Sequence, residues 1–230
     1  MDVDQHLPNP RKGLPGILDR FAGPGATSAE LALQFLLPMV ASGAAVAYGA
    51  YAVGTWSALQ YIVCALLAFD IVGGIITNGT SSGKRWYHRA GQRFPQHFGF
   101  VMLHLGHLTV VWWLFFTLNL LWLVMAGMYL FSAGLAIILS PLYLQRPVAL
   151  VMYAGSVLLS LYVLASPPGM EWFLPLFYLK LLVAHLPREE AYRPEWEANN
   201  GFKQTPESSG PATPREAGSA DRRLHQPSPR

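Results

Sequence analysis

From residue 98 to residue 139 the apolar signal runs with Thr117 and Asn119 as its only polar break. A helix needs about 20 mostly apolar residues to cross a bilayer, and this stretch is roughly twice that length. It therefore predicts two membrane helices joined by a tight hairpin. Further apolar runs lie on either side, giving six candidate spans at 30–53, 56–77, 97–116, 119–140, 147–165 and 170–186, the last being the shortest. The expected fold is all-α: a polytopic membrane protein with six transmembrane helices in one bundle.

Composition agrees with this reading. Hydrophobic residues make up 52% of the 230-residue chain and charged residues only 13%, against about a quarter charged in a soluble domain. Mean hydropathy is positive, +0.29, although both ends are polar. Residues 1–27 read as a polar, mostly disordered segment that could hold a short interfacial helix at 14–22. Residues 28–190 read as the membrane domain. Residues 191–230, rich in Pro, Ser, Gly, Glu and Arg, read as a disordered cytosolic tail. No apolar leader with a small-residue cleavage site is seen near the start, so no cleaved signal peptide is expected.

Charge distribution sets the expected orientation. With six spans, Lys84, Arg85, Arg89, Arg93, Arg146, Arg188 and Arg193 all fall on one side together with both termini. Cytoplasmic loops carry such an excess, so both termini are expected to be cytosolic. Five spans would scatter the same charges. Trp56, Trp112, Trp113, Trp122 and Trp172 lie near the opposite ends, as an outer aromatic belt would. The basic pI, about 9.1, thus reflects orientation. No basic face with interleaved aromatics points to nucleic acid, and the expected partners are membrane lipids. The single cysteine, Cys64, excludes an intrachain disulfide and a cysteine-built metal site.

Ionisable groups inside a bilayer are costly and mark functional sites by default. Asp70 lies about 10 Å inside the cytosolic end of the second span and heads a stripe of Gly73, Gly74, Thr77 and Asn78. His97, His104 and His107 share one face of the third span, with His104 about 12 Å deep. The 19-residue connection predicts antiparallel neighbours, so the carboxylate and the imidazoles are expected to meet in one pocket. Asp70, His104 and His107 are the candidate catalytic residues. The same three, with His185 or His97 as a further imidazole, are the candidate metal ligands. Carboxylate plus neutral imidazole is a ligand set for zinc or non-haem iron. Haem would need a second histidine at matching depth, and the only inner candidate, His185, reads as shallow. Lys180 reads as a snorkelling residue. The run Asn78–Arg89 places Lys84, Arg85, His88 and Arg89 at headgroup level, where they orient the chain or bind anionic headgroups. Asn78-Gly79-Thr80 matches a glycosylation sequon but falls on the cytosolic side.

Three functions fit these residues: a metal-dependent enzyme acting on a lipid or other apolar substrate, a proton-coupled carrier or small-molecule transporter using the same cluster, and a non-catalytic scaffold. No internal repeat supports an inverted-repeat transporter.

Overall fold

The computed structural model describes residues 8–116 and 119–188; Glu189, Glu190 and the tail expected at 191–230 lie outside it. Every regular element among the described residues is helical: α1 Leu14–Ala22, α2 Ser28–Ala52, α3 Ala58–Gly79, α4 Ser81–Tyr87, α5 Phe94–Leu103, α6 Leu105–Phe115, α7 Leu120–Leu139, α8 Leu142–Tyr162 and α9 Phe173–Tyr178. The last continues as a π-helical segment, Leu179–His185.

Five helical stretches are long and apolar enough to cross a membrane: α2, α3, Phe94–Phe115 formed by α5 and α6, α7 and α8. Capping side chains set several of their starts. Thr27 and Glu30 exchange hydrogen bonds at the head of α2, as do Ser57 and Gln60 at the head of α3, each pair satisfying amides that the first turn leaves open. Asn119 accepts from the Trp122 amide and starts α7 just past the expected hairpin. Pro38 sits inside α2 and packs on Gly73 of α3.

The sixth apolar run forms a shorter helix than its length suggests. Phe173–His185 is below the length of the other five, and at 1.5 Å per residue covers only about 20 Å. It nonetheless reaches from one end of the bundle to the other by adding non-helical residues at both ends. At one end Gly169 packs on Trp56 and Gly49, beside the Gln60–Leu114 hydrogen bond. At the other end Arg188 donates to the Gln145 side chain through its amide and to the Gln92 carbonyl through its guanidinium. The segment runs parallel to α3 and buries Phe173, Leu174, Phe177, Tyr178, Leu181 and Leu182 in the core. It packs against α3, α7 and α8.

Helix α1 occupies the stretch expected to be helical at 14–22. Leu14, Ile17 and Phe21 form an exposed apolar stripe along it, while its end is fixed to α4: Tyr87 donates to the Phe21 carbonyl and Ser82 to that of Ala22. Buried Gln34 donates to Ala22 and Thr80 and accepts from Thr77. Arg11 grips Asp19 with its backbone amide and two guanidinium nitrogens at 2.8–2.9 Å, and these bonds hold the carboxyl down to about 2. A depressed carboxyl pKa stabilises the fold above the ordinary value near 4, and that contribution fades as pH falls through about 2. Arg11→Ala is therefore expected to return the Asp19 titration, followed by carboxyl NMR, towards the ordinary value; an unchanged midpoint would dissociate it from Arg11.

Candidate functional site

The expected pocket is assembled by a break in the third span. At His104 the helix is interrupted between α5 and α6, and the His104 amide bonds to Val101 rather than continuing the α pattern. The Phe100 carbonyl, left without that amide, accepts instead from His104 Nδ1 at 2.8 Å. A carbonyl only accepts, so Nδ1 carries the ring proton and Nε2 holds the lone pair. His107, three residues on, stacks against His104 with ring centroids 4.7 Å apart and donates from Nε2 to Asp70 Oδ2 at 3.0 Å. One ligand atom from each of Asp70, His104 and His107 lies within 4.8 Å of the others.

The same carboxylate oxygen also binds the Lys180 ammonium. The lysine stem crosses α3 at Gly74, where a Cβ would meet Lys180 Cε at 2.3 Å; the glycine is what admits the side chain. Lys180 is only 2% exposed, whereas the Asp70 side chain is 46% exposed. The site thus joins a buried cation to an acid that reaches the bundle surface. The stripe of small and polar residues below Asp70 is shared: Gly74 and Asn78 receive the π-helical segment at Lys180 and His185, while Gly73 and Thr77 meet Pro38 and Gln34 of α2.

The other two imidazoles expected near Asp70 stand apart from it. His97 and His185 gather with His88 at the end of the bundle where α4 lies, with ring centroids 4.4 Å (His88–His97), 5.8 Å (His88–His185) and 5.4 Å (His97–His185) apart. The Phe100 ring separates the two groups, 4.6 Å from His104 and 4.2 Å from His185. His185, at the end of the last helix, is buried within the protein, because α4 and its flanking loop fold over it. Asn78 is buried as well: its amide donates to Gly74 and its oxygen accepts from His185 Nδ1.

The candidate headgroup ligands of the basic run Lys84–Arg89 are engaged with the protein. Lys84 donates to the Ala184 and His185 carbonyls, capping the last helix. His88 Nε2 donates to the His185 carbonyl, and burial, aided by the nearby charge of Lys84, pushes its pKa down to about 3. Arg89 donates to the Trp86 carbonyl and lies over the Trp86 ring at 3.9 Å. Arg85 is partly exposed.

Lys180 is the site residue whose role the chain's pattern conceals. Five residues on an α-helix turn the chain by about 140° modulo a full turn, placing Lys180 and His185 on different faces. The i→i+5 repeat, seen in the Leu186 amide bonding to Leu181, draws both towards α3, one to Asp70 and the other to Asn78. A lysine within an apolar run was the available signal. Comparison with protein-family models, curated proteins and solved structures finds no match for this chain.

Proposed function

We propose that this is a six-crossing membrane protein with both ends of its described domain cytosolic, and that Asp70, His104 and His107 hold a zinc or non-haem iron ion used on a lipid or other apolar substrate. The short sixth helix supports the crossing number by contacting both ends of the bundle, and the one-sided Lys and Arg supply the orientation. In that placement the exposed stripe of α1 lies in the membrane interface and Arg85 and Arg89 stand at headgroup level.

The observation that carries the metal reading is the convergence of two imidazoles and a carboxylate within 4.8 Å. The donor chemistry fits. His104 has its tautomer fixed by a backbone carbonyl, the outer partner usual for a metal-bound histidine. His107 Nε2 and Asp70 Oδ2, 3.0 Å apart, are near the about 3.3 Å edge expected for two ligands at zinc distances. An ion there supplies a Lewis acid and a water of lowered pKa. To bind it through Nε2, His107 would move the ring proton it now donates to Asp70 onto Nδ1, which frees the Nε2 lone pair. Lys180 holds the carboxylate's charge meanwhile. The exposed side of Asp70 opens laterally, a route suited to a molecule already dissolved in the bilayer.

Detergent-purified protein is expected to carry an ion at this cluster, roughly one per chain, and His104→Ala is expected to lose it while keeping its helix content. Retention of the full metal content by His104→Ala would overturn this reading. The Lys180–Asp70 ion pair favours a second reading, a proton-coupled carrier, since a neutralised acid–base pair beside two imidazoles can exchange protons without accumulating charge. Proton flux into liposomes that stops in Asp70→Asn, from metal-free protein, would select it.

A further inference from the structure

The second imidazole group has hydrogen bonds that dictate where its lone pairs lie. His88 donates from Nε2 to the His185 carbonyl, which leaves its lone pair on Nδ1. His185 donates from Nδ1 to the Asn78 side-chain oxygen, which leaves its lone pair on Nε2. Among the described residues six buried side-chain nitrogen or oxygen atoms lack a partner: three are tryptophan indoles, and the other three are His88 Nδ1, His97 Nε2 and His185 Nε2. An unpaired polar atom in a protein interior is costly, and a cluster of them calls for an occupant. His185 and His97 are 2% and 6% exposed.

We propose that His88, His97 and His185 form a second metal site, built of three imidazoles, that takes a borderline-soft transition ion of the Zn2+ class. Three neutral imidazoles with a fourth position left open are an established zinc ligand set. With Zn–N near 2.0–2.1 Å, ring centroids on one tetrahedral ion stand about 5.2 Å apart; the rings already lie 4.4–5.8 Å apart, but their donor nitrogens, unlike those of the Asp70 cluster, are not gathered within 4.8 Å, so binding requires a ring rotation. His97 must turn out of its stack on His88, and its Nε2 has no bond to hold it back. Carbonyl and amide oxygens behind His88 and His185 are the outer partners that fix ligand tautomers. No carboxylate contributes, and Lys84 lies close by, so binding rests on nitrogen donation rather than charge; this selects against Ca2+ and Mg2+. A 160 Å3 cavity lined by Phe94, His97, Gln145, Leu186 and Arg188 borders the site and offers an entry path.

This site is independent of the Asp70 cluster, and one experiment separates them. Full-length protein in detergent, stripped with a chelator, is titrated with Zn2+ against a chromophoric competitor. Mg2+ runs in parallel, and helix content and monodispersity are checked for each variant. His97→Phe keeps an aromatic ring against His88 but removes the nitrogen, and is expected to weaken one Zn2+ site at least about 100-fold, beyond the range typical of losing an outer partner. His88→Gln, which retains a donor for the His185 carbonyl, is expected to do the same and decides the matter if His97→Phe fails to fold. A Zn2+ site that survives His104→Ala and disappears in these variants supports the proposal even if no ion binds at Asp70. Zn2+ binding unchanged in the folded variants, or absent from wild type, overturns it; loss in His104→Ala alone would leave the Asp70 site standing by itself.

Discussion

Asp70→Ala is expected to destabilise the bundle by about 3–5 kcal/mol, the range for leaving a buried charge without its partner. The large effect comes from what remains. Lys180 is 2% exposed, its stem is held against Gly74, and Asp70 is the carboxylate its ammonium binds. Without that partner the lysine must stay charged in an apolar interior, release its proton, or pull the last helix out of place. Unfolding in mixed detergent, followed by circular dichroism, measures the loss. The double variant Asp70→Ala/Lys180→Met should recover at least half of it, because two apolar side chains carry no unpaired charge. Equal losses in the single and double variants would mean that Lys180 draws no stability from Asp70. The double variant also separates the two parts of the site: it is expected to be stable and yet to lack the ligand set.

Gly23→Ala is expected to cost about 2–5 kcal/mol at the opposite extreme of chemical subtlety. Gly23 has φ of 89°, a conformation that costs a residue with a Cβ about 1–2 kcal/mol. An added Cβ would also lie 2.3 Å from the Ser82 carbonyl oxygen and 2.7 Å from the Gly83 amide nitrogen. Backbone on both sides cannot yield as a flexible side chain would, so overpacking adds about 1–3 kcal/mol. The expected result is separation of α1 from α4, seen as a lower thermal midpoint and faster proteolysis between residues 11 and 26. A variant as resistant as wild type would show that the α1–α4 contact does not depend on this close approach. Since α4 also folds over His185, the same variant is expected to disturb the second imidazole group before the Asp70 cluster.

Much of the fold is legible in the residue pattern because hydrocarbon imposes a single length rule on it. Four of the five long helices start and end within about three residues of where apolar runs and capping side chains put them, whereas α8 begins at Leu142, five residues before the expected 147, and carries Pro147 inside it. The last run departs further in kind: its helix begins only at Phe173, after a turn, and its second half is π-helical; hydropathy measures how apolar a segment is and not which backbone bonds it closes. The convergence of Asp70 with His104 and His107 was legible for a related reason. Matching depths on consecutive antiparallel helices leave few other places for costly polar groups to go.

Residue order was enough to read a helical body with membrane-length helices, and a carboxylate and imidazoles at a common depth, because segment length and the 3.6-residue period are properties of the chain alone. Which of those groups become partners is set by how the helices pack. The π-helical turn brings Lys180 to Asp70 and His185 to Asn78. The break at His104 frees the carbonyl that fixes its ring, and the loop carrying His88 closes over His185. Each depends on backbone bonds rearranging to satisfy contacts between segments up to 110 residues apart, and no periodicity within one segment encodes them.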